Sequence, residues 1–249
     1  MLEEVVAQVG QDQFVHGVDL LRQGNAEEAL TSLQTVLQHS AHDPALLTNL
    51  GIAAARLEKW GLSLSYLREA QELGSSYPQT ATALNYVTSQ MKIREIPHQV
   101  EFWEVFRSNV LQGISLYTLM FIGAFVILLT GLLVLRFIND RKSALASEEA
   151  LPNVRFIHIL AGVLFCAWLG LTLAKVVDQT HVRAIVTNDV VSVKSAANPE
   201  APTLFELYAG LEVIVQRESG DWAQIRYPGG PAGWIKKQDF RVFSPGLYR

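Results

Sequence analysis

Two stretches decide the reading of this chain: ISLYTLMFIGAFVILLTGLLVL, residues 114–135, and FIHILAGVLFCAWLGLTLAK, residues 156–175. No charged residue occurs between Arg107 and Arg136, and between Arg155 and Lys175 only His158 can titrate. A helix needs about 20 predominantly apolar residues to cross the hydrocarbon core of a bilayer, and both runs are that long. They predict transmembrane helices at 112–135 and 156–176, joined by a short basic loop at 136–155. A block at 1–96 and an amphipathic juxtamembrane linker at 97–111 precede the hairpin, and a block at 177–249 follows it.

Composition excludes several classes of function. The formal charge of −4 over 249 residues gives no basic footprint for nucleic acid. The single cysteine, Cys166, lies inside the second apolar run, so no disulfide within the chain is possible. There is no phosphate-binding glycine loop and no nucleophile elbow. The acidic pairs Glu3–Glu4, Glu27–Glu28 and Glu148–Glu149 have no environment that would set an acid and a base apart. His39 and His42 form an HxxH beside Asp43, but without a third ligand a solvated helix end is the simpler reading. The expectation is a protein that is not an enzyme and needs no cofactor or metal.

The N-terminal block repeats itself. FVHGVDLLRQGNAEEALTSLQTVL (14–37) and LTNLGIAAARLEKWGLSLSYLREA (47–70) set Gly17 against Gly51, Leu33 against Leu67 and Ala29 against Ser63, each pair separated by the same interval. Small residues at these positions let two helices approach closely. The segments resemble the tetratricopeptide repeat, a helix-turn-helix unit of that period. In the second copy Glu58 stands where the family has a glycine, and Ser63 replaces the small alanine. A third helix, Thr80–Ile93, ends before Pro97 and reads as a cap. The resemblance implies a concave groove lined by Phe14, Val18, Leu21 and Arg22, then Thr48, Ile52, Ala55 and Arg56, with Thr82, Tyr86 and Ser89 from the cap. Such a surface takes a partner's peptide or helix, or it is only a spacer or a self-association face; both readings stand.

In the linker, Phe102, Trp103 and Phe106 fall on one helical face, the pattern of an anchor at the membrane interface. Arg136, Arg141, Lys142 and Arg155 give the 136–155 loop more basic residues than the outer flanks, which hold Arg107, Lys175 and Arg183. The positive-inside rule then puts the loop in the cytoplasm and both soluble blocks outside, in the periplasm of a bacterium. Export of the first block asks for a signal, and MLEEVVAQVGQD (1–12) has neither a basic nor an apolar region. Either that block stays in the cytoplasm or a signal was removed, and the expectation is the exported arrangement with its signal removed by processing. Gly162, Cys166 and Gly170 form a small-residue stripe able to seat a neighbouring helix, most simply the first span, with a helix of another molecule as the alternative.

After Asp178 the pattern alternates. VRAIVT, DVVSVKS, LEVIVQR, WAQIRY and GWIKK read as five short strands separated by Gly, Pro and Asn-Asp turns. That number of strands in a block this small suggests a closed or nearly closed barrel. The set, with Gly233-Trp234 after a glycine-rich turn, resembles the bacterial SH3 domain, although Lys194 stands where an arginine is usual. Tyr208, Trp222, Tyr227 and Trp234 are its candidate ligand surface; more often such tryptophans fill the small core. The family's usual ligands are cell-wall glycopeptide or a protein peptide.

The fold class is therefore a multidomain membrane protein: an all-α tetratricopeptide solenoid, a two-helix transmembrane hairpin and an all-β SH3-like barrel. That order of modules, with EFWEVFRSNVLQGISLYTLMFI (101–122) and RAIV (183–186), resembles the BatE-like proteins of the Bacteroides aerotolerance (Bat) operon family. The resemblance implies a bacterial inner-membrane scaffold whose partners are Bat proteins with von Willebrand factor A domains and, indirectly, a MoxR-type ATPase. The alternative is a cell-wall sensor whose barrel binds peptidoglycan.

Overall fold

The structure is a computed structural model that describes residues 2–39, 43–75, 77–91, 102–111, 114–148, 150 and 152–244. It divides into two compact units, one formed by residues 1–101 together with 181–249, the other by 102–180.

The first unit opens with five helices: α1 (Leu2–Gln23), α2 (Ala26–His39), α3 (Pro44–Arg56), α4 (Trp60–Glu72) and α5 (Pro78–Gln90). They pack as consecutive pairs, and the pairing contact repeats. A methyl on Gly17 would lie 2.7 Å from the Leu33 side chain, and one on Gly51 would lie 2.5 Å from Leu67. Both contacts are closer than a Cβ tolerates, so glycine is what allows α1 to seat on α2 and α3 on α4. Ala29 and Ser63 are fully buried in these seams. Ser63 satisfies its hydroxyl by donating to the Gly51 carbonyl at 2.7 Å, so the polar substitution costs little. Gly24 ends α1 with φ +91°, and Glu58, at the matching place in the second copy, ends α3 with φ 58°. The second copy therefore holds a β-carbon in the left-handed region that glycine occupies in the first. Asp43 caps α3 by accepting from the Ala45 amide at 3.0 Å, and Pro44 stands in the first helical position.

The C-terminal part of this unit is one antiparallel sheet of seven strands: β1 (Val182–Val186), β2 (Val190–Lys194), β3 (Thr203–Tyr208), β4 (Glu212–Ser219), β5 (Trp222–Arg226), β6 (Ala232–Lys236) and β7 (Phe240–Ser244). The order is β3-β2-β6-β5-β4-β1-β7. The sequence predicted five strands. β3 and β7 are the additions: the first follows the proline-punctuated segment 199–202, the second a 3-10 turn, and neither carries a run of β-branched residues. One core takes Val186, Val191, Leu207, Val213, Ile225 and Ile235 from six of the strands, so the sheet curls around its own apolar face.

The helices and the sheet share a further core. Ala55, Leu64, Leu67, Leu84 and Val87 of the helices pack with Ile185 of β1 and Phe243 of β7, flanked by Trp60 and Met91. At Gly61 a methyl would lie 2.6 Å from the Val186 carbonyl oxygen and 2.9 Å from the Thr187 backbone, so α4 rests directly on the sheet's main chain. Beside it the Arg241 guanidinium stacks 4.0 Å from the centre of the Tyr66 ring and pairs with the buried Glu69 carboxylate.

The second unit holds α6 (Phe102–Phe106), which continues as a π-helical turn (Arg107–Leu111), then α7 (Leu116–Ala146) and α8 (Phe156–Asp178). α7 and α8 are long and apolar enough to cross a membrane. α7 runs past Leu135 to Ala146, so Arg136, Arg141 and Lys142 are helical rather than part of a loop. The hairpin closes differently from the expected stripe: a methyl at Gly162 or Gly170 would meet nothing within 4 Å, and Cys166 is exposed. The close approach is at Gly123, where a methyl would run into the Trp168 ring. The Trp168 indole donates to the Leu119 carbonyl at 2.9 Å, fixing the ring in that notch. Lys175, expected as a flanking charge, is buried and donates to the Leu111 carbonyl at 2.9 Å. Arg107 and Asp178 form a buried ion pair at 3.0 Å. Together these contacts fasten the π-helical turn to the last turn of α8.

Candidate functional site

Between α1, α3 and α5 lies a cavity lined by some of the residues expected to form a groove. Phe14, Val18 and Arg22 of α1 face Thr48, Asn49 and Ile52 of α3 and Tyr77 and Gln79 at the start of α5, around a cavity of about 320 Å³. This is at the lower end of the roughly 300–1,000 Å³ of ligand pockets, room for one or two side chains of a peptide or a small molecule. Thr48 is not free to recognise anything: its hydroxyl lies 2.7 Å from that of Thr80, which reaches Ser75 at 2.9 Å. That chain of hydroxyls ties α5 to α3. The adaptable polar group is Arg22, whose side chain is 77 % exposed and pairs with Asp19 of its own helix at 3.2 Å.

The other groove candidates lie elsewhere. Leu21 is in the helical core, and Ala55 is in the core shared with the sheet. Arg56 donates to the Leu21 carbonyl and lines a different, open cavity of about 1010 Å³ with His16, Glu27 and Glu28. On α5, Thr82 and Ser89 bond their own helix, to the carbonyls of Pro78 and Tyr86. Tyr86 meets the Trp60 ring edge-on, with centroids 6.2 Å apart, at the side where α5 packs on α4.

On the sheet, the aromatic residues separate. Tyr227 is buried in the core, whereas Trp222 and Trp234 lie on the outward surface, alternating with the inward Ala223, Ile225, Gly233 and Ile235. The core-filling reading is therefore corrected for both tryptophans. Strand alternation puts both on that face, and at the inward position next to Trp234 a methyl on Gly233 would already overlap the Val193 side chain, so that point of the core has no room for an indole. Tyr208 belongs to a third place, a cavity of about 390 Å³ shared with Trp60, Met91, Asp189 and Val190. In the second unit, Phe102 is 83 % exposed and stacks on Phe106, and Trp103 packs against Phe106 at 6.0 Å. This is an amphipathic aromatic cluster of the kind that partitions at membrane interfaces.

Among the described residues no three His, Cys, Asp or Glu side chains converge. His42 of the HxxH lies outside the described residues. Sequence reasoning missed Gly61, Tyr66, Glu69 and Arg241. The first could have been suspected as a glycine inside a helical repeat. A cation stacked on a tyrosine from the opposite end of the chain leaves no local pattern.

No family model matches the chain, and no curated protein does. A solved chain described as "Structure of NlpC2 from Trichomonas vaginalis" matches 25 % of this chain and 25 % of its own length, at 19 % identity and a TM-score of 0.23. An overlap that loose carries no inference about fold or activity.

Proposed function

We propose that the chain is a non-enzymatic inner-membrane adaptor of the BatE-like kind. In this reading the helical block is a short tetratricopeptide array, the curled sheet is an SH3-like barrel, and both are held outside the cytoplasm by the hairpin. The observation that carries it is the recurrence of one contact, Gly17 on Leu33 and Gly51 on Leu67, in helix pairs that leave Phe14, Arg22 and Ile52 around an open groove. Repeat pairs of this kind bind extended or helical segments of other proteins. The partners the resemblance implies are Bat proteins with von Willebrand factor A domains and, through them, a MoxR-type ATPase.

Two crossings return the chain to the side on which it began, which agrees with helices and sheet sharing one core. Alkaline phosphatase fused after Arg249 and a fluorescent reporter placed near Ala146 test the orientation. Phosphatase activity with loop fluorescence supports the exported arrangement, and the reverse pattern overturns it. For the adaptor role, the full chain is captured from detergent-solubilised membranes and its co-purifying Bat proteins are quantified. Arg22→Glu with Ile52→Asp is expected to abolish their retention while the thermal transition of the chain stays in place. Undiminished retention sinks the groove assignment.

A further inference from the structure

The outward surface of the curled sheet is divided. Its β1–β7 end is covered by α4 through Ile185, Arg241 and Phe243. The remainder, on β5, β6 and β2, presents a different chemistry. Pairing places Trp234 between Lys194 and Gln224, with Arg217 next to Gln224 on β4, and sets Trp222 opposite Lys236. The Lys236 ammonium lies 6.0 Å from the centre of the Trp222 ring. The nearby acid Glu218 is engaged by Lys237 at 2.6 Å, and Glu206 of β3 is the acid that faces outward from the described strands at this end. A chain of net charge −4 thus gathers two indoles with Lys194, Arg217 and Lys236 on one patch.

Indoles interleaved with lysine and arginine are the composition of a surface that sits at lipid headgroups: the rings favour the interface and the cations attract anionic lipid. We propose that this face is a docking surface for anionic lipid headgroups, seating the sheet on the bilayer that α7 and α8 cross. The proposal rests on membrane anchorage by those helices and is independent of the adaptor role.

The test uses the full chain in nanodiscs of phosphatidylcholine alone or with phosphatidylglycerol, each carrying headgroup spin labels that quench tryptophan. Trp60, Trp103 and Trp168 supply a constant background, removed by comparison with a Trp222→Phe/Trp234→Phe chain. Quenching of the two sheet indoles is expected to rise when phosphatidylglycerol is present and to fall again at high salt. Each cation near an anionic surface contributes about fivefold to its occupancy, so Arg217→Gln with Lys236→Gln lowers the docked-to-free ratio roughly 20- to 30-fold. Equal quenching in the two lipids, or no response to the charge variant, overturns the proposal. So does retention of the chain on isolated peptidoglycan that the tryptophan variant abolishes without any lipid dependence, because the face would then belong to a wall polymer.

Discussion

Gly61→Ala reverses sign depending on whether α4 truly rests on the sheet. In a helix exposed to solvent, replacing glycine by alanine removes backbone freedom from the unfolded chain and stabilises by about 0.5–1 kcal/mol, toward the low end here because Gly61 lies in the first turn of α4. The structure gives the added methyl no room: it would stand 2.6 Å from the Val186 oxygen and 2.9 Å from the Thr187 Cα and carbonyl oxygen. These are main-chain atoms of a paired strand and the residue after it, so no rotamer change relieves the contact. Forcing a methylene-sized group into a filled seam costs about 1–3 kcal/mol. The balance is a net loss of about 1–2 kcal/mol. For a unit of this size each kcal/mol moves the midpoint by about 2–4 °C, so Tm should fall by about 2–8 °C.

Thermal unfolding of the full chain in mild detergent reads the shift, and hydrogen exchange locates it. Amides of α4 and of residues 182–187 should lose protection together, because Ile185 and Phe243 leave the shared core when the seam opens. A rise in Tm, with unchanged exchange in β1, would refute the reasoning: it is what an α4 that merely passes near the sheet would give.

Three further outcomes follow from the same geometry. Glu58→Gly should stabilise the helical block by about 1 kcal/mol, since a left-handed residue with a β-carbon is replaced by the type that tolerates that conformation; denaturant midpoints measure it, and a loss of stability would contradict it. Arg241→Gln leaves the Glu69 carboxylate buried without that cation and should cost about 3–5 kcal/mol, whereas Glu69→Gln with Arg241→Gln should cost less than the single change; a double-mutant cycle in urea decides, and strict additivity would refute the pairing. In the hairpin, Gly123→Leu should separate α7 from α8 near Trp168, seen as a longer distance between spin labels on the two helices, while Gly162→Leu, facing open space, should leave that distance unchanged.

How far the fold was legible follows from the range over which each signal acts. The apolar runs and the helical repeat are written in local composition and spacing, and the structure places helices where both predict them. The hairpin's own seam was misread because a stripe of Gly162, Cys166 and Gly170 and a lone Gly123 carry the same local information; what distinguishes them is the Trp168 indole, which needs both a notch and the Leu119 carbonyl. β3 and β7 escaped because outward positions in both carry apolar residues, Leu204 and Phe243, which blur the alternation; Phe243 is apolar because it packs against the helices. Of the candidate groove, Phe14, Val18, Arg22, Thr48 and Ile52 came together, while Leu21 and Ala55 turned inward. A repeat pattern specifies which helix a residue belongs to more firmly than which way it faces at the ends of a short array.

The largest departure from the sequence reading is organisational, and it bears on function. Two separate soluble blocks joined by a hairpin could each move about their own tether. Here Arg241, Phe243 and Ile185 tie the sheet to α4, so a partner proposed to seat between α1 and α3 and a lipid surface proposed to meet Trp222 and Trp234 would act on one body. Because Leu67 and Ala55 belong to that shared core while Gly51 seats on Leu67, the contact that shapes the repeat pair is also part of the seam with the sheet. Any shift of α3 that opens the groove must be accommodated at β1 and β7. Coupling between the two surfaces would then run through α3 and the side chains it shares with β1 and β7. It would register as a change in hydrogen exchange at Ile185 and Phe243 when a peptide occupies the groove, and its absence would leave the two surfaces joined but thermodynamically independent.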